Sequence, residues 1–570
     1  MMLKRPKSRR LTFAFSLLAV AMLFVSACAP QGTTAPPTTN TGTAVKGGTW
    51  IDDLYEPVKS LIPNGVSETF ADLVDQSLYV PLFYGDAKGQ INPGLATEIP
   101  TVANGDVSSD LKTWTFKIRP GVTWNDGQPL DARDVDFTWK LWDNPKFGAA
   151  TTSGFNLIKS ADVSSDNLKI TFHLSQGYEA FVAAWTDALS APLPAHHFSS
   201  MSPDQILKSA DNLNPSVTSG PFMMSESKPG DHFTVVRNPK YYQAAQGYPY
   251  LDKIVFRLIP DQDTILKDFQ SNSITSAYFL DVTKVPAYKA MANYHLVSNP
   301  NASNFEAIYF NLDNAVLKDV KIRQAVAQAI DYNALIQTAR RGQAVPLCTD
   351  HGQAYVPGYQ ADAACPKYNP AAANAILDAD GWVKGAGGVR TKGGQRLEFH
   401  YSTTANNAWR AADEEILQQN LLAIGIKLDI QNYSADTFFG TVLPSGKPGT
   451  FDMAEFEDSW TYDADDSSLF ACNQIPSAAN SFGGGNYAKY CNPKVDALMQ
   501  QELSTTDVNA RQQAFNQEHA IYLTDFPFIT LYSPTDISVA KNNVHNYLPG
   551  PEGASETVNV WQWWCDNGQC

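Results

Sequence analysis

Apolar and polar residues alternate along Trp114-Thr115-Phe116-Lys117-Ile118-Arg119, the period-2 pattern of a half-buried strand. Leu168 to Leu174 repeats it, while Phe233–Arg237, Ile254–Leu258, Leu397–Tyr401 and Ile426–Ile430 are also strand-like, with Gly47 to Ile51 as an opening strand. Between them the spacing becomes helical. Val320, Ile322, Val326, Ile330 and Leu335 predict a helix within 319–340; others are predicted over 371–382, stopped at Gly381, and 411–422, ended by Gly425. Asp131 and Asp134 precede the apolar positions Val135, Phe137, Trp139 and Leu141, the signature of a capped helix start. Asp131, Asp134 and Asp136 are therefore cap and solvated-face residues rather than metal ligands. Pro120-Gly121, Asn125-Asp126-Gly127 and Asn238-Pro239 mark turns. Strands and helices interleave throughout without an internal repeat, which predicts α/β lobes whose sheets are covered by helices.

The N-terminus breaks this pattern. Met1 to Arg10 carries five basic residues, and Leu11 to Ala27 is an uncharged run of signal-peptide length, shorter than a membrane span of about 20 residues. Val25-Ser26-Ala27-Cys28 resembles a bacterial lipobox, which makes Cys28 the expected lipidated first residue after cleavage of 1–27. Residues 28–45, rich in Thr and Pro, are read as a flexible tether. The body is thus expected outside the cytoplasmic membrane, lipid-anchored to its outer face or periplasmic.

The 570 residues suggest several domains, and 44% apolar against 18% charged residues indicates a globular chain. Removing the five leader charges from the 42 basic residues leaves 37 against 58 acidic, a net −21. Such a surface repels phosphate backbones, so no nucleic-acid partner is expected. Apart from Cys28, the cysteines form three local pairs: Cys348 and Cys365, Cys472 and Cys491, Cys565 and Cys570. No C-x-x-C is present, and an oxidising exterior favours structural disulfides. Several pairings remain open, local pairing being the simplest.

Longer motifs go further. Trp114 to Trp139, WTFKIRPGVTWNDGQPLDARDVDFTW, strongly resembles the signature of family 5 extracellular solute-binding proteins, the peptide/nickel-type binding components of ABC importers. Four more blocks agree in order. They are Ser216–Phe222 with Val236–Tyr242; Tyr309–Leu312 with Asp319–Ala325 and Ala329–Asp331; Tyr368–Pro370 with Asp380–Trp382; and Asn486-Tyr487 with Asn492–Asp496. The expected proline of the second block is Val316 or Leu317. The resemblance spans about residues 47–550. It implies a two-lobed periplasmic-binding-protein-like α/β fold with a hinge and an extra α/β subdomain on the N-terminal lobe. On that analogy 46–75, 192–285 and 526–570 form the first lobe, 76–191 the subdomain and 286–525 the second lobe.

The resemblance also implies a solute, most of all an oligopeptide, enclosed between the lobes and passed to ABC permease subunits with their ATPases by a monomer that does no covalent chemistry. Trp460-Thr461-Tyr462-Asp463 has the spacing of the family's W-x-x-D element, which makes Asp463 the expected partner of a peptide α-amine, with Trp460 and Tyr462 as apolar walls. Asp465 and Asp466 compete with it. The usual prolines after the aspartate are missing. The same stretch fails as a calcium loop, with Ser468 and Gln474 where Gly and Glu are required. His196-His197 is expected to be structural, and Arg323 to pair with an acid. No metal-ligand cluster is visible among the nine histidines, and there is no H-E-x-x-H, G-x-S-x-G or Walker-type sequence, so neither metal nor cofactor is expected. Oligosaccharides are the alternative ligands, given 12 Trp and 24 Tyr. A lipid-anchored secreted hydrolase is the rival from another class.

Overall fold

The computed structural model describes residues 44–570 except 67, 300–302, 356, 386, 446–449, 461, 481 and 551–555. The leader, Cys28 and most of the tether lie outside the described residues. Among those described, no helix is long and apolar enough to cross a membrane.

Two large sheets organise the chain. The first has seven strands in the order Tyr294–Asn299, Asp536–Lys541, Ser276–Ala277, Thr49–Leu54, Lys253–Leu258, His232–Arg237, Phe222–Lys228. Thr49–Leu54 runs parallel to both neighbours, with Trp50 opposite Ile254 and Asp53 opposite Arg257. Asp53 is buried, and Arg257 grips both its oxygens at 2.7 and 2.9 Å. The second sheet has six strands in the order Ala344–Val345, Phe528–Pro534, Asn304–Phe310, Met453–Ser459, Glu398–Ser402, Lys427–Ile430. Asn304–Phe310 and Phe528–Pro534 are buried at every position, which explains why neither alternates in sequence. A third, antiparallel sheet joins Thr113–Lys117, Lys169–Leu174 and Ile158–Val163. It packs against the helix Ala132–Trp142, whose start is the expected reciprocal cap: Asp131 accepts from the Arg133 amide while Asp134 accepts from the Asp131 amide.

The chain crosses between the large sheets twice. Tyr294–Asn299 pairs with Asp536–Lys541 in the first sheet, and Asn304–Phe310 pairs with Phe528–Pro534 in the second. The pairings therefore put the crossings near 300 and 535, not at the expected 286 and 526. Both displaced strands are buried runs whose sheet is set by their partners rather than by their own pattern.

Two further expectations shift. The helical pattern of 319–340 is broken: the helix Val320–Ala329 ends at Ile330, and Asp331 caps a new turn through the Ala334 amide while its own amide donates to Asn420. Among the described residues Arg323 pairs with no acid. Its guanidinium donates to the carbonyls of Leu317, Asp525 and Phe526, two of them at the end of the helix Val508–Asp525. Disulfides join Cys348–Cys365, Cys472–Cys491 and Cys565–Cys570, the local pairs.

Candidate functional site

The strand Met453–Ser459 lies inside the second sheet and runs out into the turn that holds Trp460, Tyr462 and Asp463. This turn faces Tyr178, Asp187 and Ser190 on one side and Tyr79, Tyr84, Tyr241, Tyr242 and Trp561 on the other. Two cavities open there, and Asp187 lines both.

The first cavity has about 740 Å³ of empty space, mouth included. Asp463, Asp465, Ser468 and the edge of Trp460 line it from the second lobe; Asp187, Tyr178 and Ser190 face them. Among the described lining residues there is no Lys, Arg or His. Asp187 caps a short turn by accepting the Ser190 amide at 3.1 Å, and burial pushes its carboxyl up to about 6. Burial also raises Asp465, which accepts the Tyr178 hydroxyl at 2.8 Å and the Ser467 amide.

The second cavity holds about 450 Å³. Tyr79, Tyr84, Tyr241, Tyr242 and Trp561 line it on one side, and Tyr462 alone comes from the second lobe. The Tyr462 ring lies against the backbone of Gly85: a Cβ built there would sit 1.8 Å from Cε1. Only glycine permits that approach.

The structure places the three residues read from the sequence in different roles. Tyr462 walls the aromatic cavity. Trp460 is 4% exposed; its indole N–H donates to the Asp350 carbonyl at 2.8 Å and its ring stacks on His351 at 5.6 Å. Asp463 is not a free carboxylate. Arg511 holds both its oxygens, at 2.7 and 2.9 Å, and also donates to Glu502 and Glu179. One guanidinium thus faces three carboxyl groups. Burial raises Glu502 well above the usual range and Glu179 to about 7. The competitor Asp466 is fully buried and accepts from Tyr522. His196 and His197 each bind a neighbouring aspartate, Asp126 at 2.8 Å and Asp211 at 2.9 Å.

Sequence reasoning missed Asp187, Tyr178, Glu179 and Arg511. Each sits outside a recognisable motif, and Glu179 meets Arg511 across 332 residues of chain. It also missed that Asp350, His351 and His519 bring donor atoms together. Tyr178–Asp465 and Glu179–Arg511 join chain segments far apart in sequence beside the cavity.

Comparison with known proteins adds the following. A family model described as bacterial extracellular solute-binding proteins, family 5 Middle, matches residues 90–481. Oligopeptide-binding protein AppA of Bacillus subtilis (strain 168) is 25% identical over 562 residues, 96% of this chain and 97% of that protein. The nickel-binding periplasmic protein of Escherichia coli (strain K12) is 26% identical over 525 residues, covering 89% and 91%. Among solved structures, AppA from Bacillus subtilis in complex with a nonapeptide superposes with a TM-score of 0.79 at 23% identity, over 92% of this chain and all of that one. NikZ from Campylobacter jejuni in complex with Ni(L-His) reaches 0.79 at 24%, over 90% and 99%. The shared fold is that of the two-lobed periplasmic binding proteins.

Proposed function

Because the chain belongs to the bacterial extracellular solute-binding proteins, family 5, we propose that it captures oligopeptides between its lobes and delivers them to the membrane subunits of an ABC importer. One observation carries the ligand class: the cavity between the lobes presents Asp187, Asp463 and Asp465 with no basic side chain among its described lining residues. An α-ammonium is the complementary group, and a charge-assisted bond is strong where water is excluded. Since Arg511 already holds Asp463, Asp187 and Asp465 are the proposed primary contacts and Asp463 a secondary one. The relative from Bacillus subtilis is an oligopeptide-binding protein, which supports the same reading.

The aromatic cavity accommodates a ligand side chain, and it supports oligosaccharides as the second reading, since Tyr84, Tyr241, Tyr242 and Trp561 offer flat faces to a sugar. No covalent chemistry is proposed. Lipidation at Cys28 would hold the protein beside its permease outside the membrane, replacing free diffusion by tethered encounter.

Calorimetric titration with a free-amine tripeptide and its N-acetylated form tests the assignment. The free amine should bind at least about tenfold more tightly, a difference of about 1.4 kcal/mol, and Asp187→Asn should abolish the preference. Equal affinities, or a preference unchanged in Asp187→Asn, would remove the acidic cavity from that role.

A further inference from the structure

Directly behind Trp460, three fully buried side chains converge. Asp350 and His351 lie in the loop closed by the Cys348–Cys365 disulfide, and His519 lies on the helix Val508–Asp525. His351 Nδ1 is 3.1 Å from His519 Nε2. Asp350 Oδ2 is 3.2 Å from His351 Nδ1, and Asp350 Oδ1 is 3.2 Å from His519 Nε2.

The outer ring nitrogens settle the tautomers. His351 Nε2 lies 2.7 Å from the Ala464 carbonyl and must carry a proton to donate there. His519 Nδ1 lies 3.2 Å from Gln360 Oε1, which accepts a proton carried on that nitrogen. With both rings neutral, each turns a lone pair inward, toward the other and toward the carboxylate. Three acceptors face one point with no donor between them, in a site with no water-exposed surface. Such a point calls for a cation. Three donors about 2.0–2.1 Å from one ion at tetrahedral angles stand about 3.3 Å apart, close to the spacing found. The outer N–H groups on a carbonyl and an amide oxygen are the hydrogen bonds that orient metal-bound imidazoles. Asp350 Oδ1 and Oδ2, Asp466 Oδ1 and both Glu518 carboxyl oxygens are buried without a hydrogen-bond partner among the described residues.

We propose that Asp350, His351 and His519 bind one divalent transition-metal ion, of the class of zinc, nickel or cobalt. The ligand set is two imidazoles and a carboxylate, which suits these borderline ions and not calcium or magnesium, whose ligands are oxygens. The ion pins three segments at once: the disulfide loop, the helix of Arg511, and the turn that carries Ala464 beside Asp463 and Asp465. It is a positioning site for the cavity wall, separate from the solute cavities, neither of which is lined by these side chains.

The test uses the full chain without an affinity tag. Elemental mass spectrometry after exhaustive dialysis should find one zinc, nickel or cobalt per chain, and chelator-stripped protein should regain its melting temperature with one equivalent of zinc. Cobalt-loaded protein should show the visible bands of a nitrogen-ligated ion. His519→Gln should weaken binding at least about 100-fold and Gln360→Ala about tenfold, while Asp187→Asn, in the solute cavity, should leave it unchanged. If His519→Gln does not fold, Gln360→Ala and the wild-type titration decide. Metal-free protein whose melting is indifferent to zinc and cobalt, with a ring-nitrogen spectrum showing His351 as an imidazolium, means that a bound proton alone fills the triangle and overturns the proposal. So does metal binding that Asp187→Asn abolishes and Gln360→Ala leaves intact.

Discussion

Arg511 shows at single-residue scale how the cavity wall is held. Its guanidinium is 4% exposed and shared among Asp463, Glu502 and Glu179. Replacing one member of a buried ionic network leaves its partners uncompensated, at a cost of about 3–5 kcal/mol. Arg511→Met should therefore lower unfolding stability by about that amount in denaturant titrations; a loss under about 1 kcal/mol would mean that the three carboxyls do not depend on it. The W-x-x-D spacing pointed to a turn that lines the acidic cavity, because local spacing survives in sequence. It did not reveal that Asp463 was already engaged, because Arg511 lies 48 residues away on the helix Val508–Asp525. The His351–His519 contact was hidden for the same reason, at a separation of 168.

The same division holds for elements. Alternating strands such as Lys169–Leu174 and the capped helix Ala132–Trp142 were legible, since one face of each meets solvent and leaves a period. The buried strands Asn304–Phe310 and Phe528–Pro534 left none, and their sheet is set by their partners. The helix Val508–Asp525 ends on Phe526 at φ 44°, a left-handed conformation that disfavours a large side chain, and Arg323 holds the Asp525 and Phe526 carbonyls there. Arg323→Met leaves those acceptors buried and unsatisfied, so it should cost about 2–4 kcal/mol in denaturant titrations without changing which solutes bind; an unchanged midpoint would show that the helix end holds itself. At the lobe junction, Gly85→Val should weaken solute binding at least about tenfold, because the added Cβ meets the Tyr462 ring. Tyr462→Ala in the same chain should restore part of the loss, and failure to do so would place the clash elsewhere.

Across the whole molecule, buried acids give stability a defined pH dependence. Burial pushes Glu457 and Glu556 up to about 8, and Asp413 and Asp458 up to about 7. The unfolded carboxyls lose their protons near pH 4, so between about pH 4 and pH 8 the folded chain binds more protons than the unfolded one. Stability must then fall as pH rises through that window. The melting temperature should thus be higher near pH 5 than at pH 8, and Glu457→Gln should raise it at pH 8, by roughly 1–4 °C, with little gain at pH 5. A flat profile would show those carboxyls ionised in the fold. The chain crosses between the two large sheets near 300 and 535, and Tyr178–Asp465 and Glu179–Arg511 join residues from opposite sides of the acidic cavity. A solute touching both lobes favours the closed arrangement by its differential affinity. Native mass spectrometry of the chain with a pool of tri- to hexapeptides tests that central claim most directly. The account predicts a one-to-one peptide adduct of unchanged mass. Shortened peptides in the pool without a retained adduct, or an adduct formed only with oligosaccharides, would contradict it.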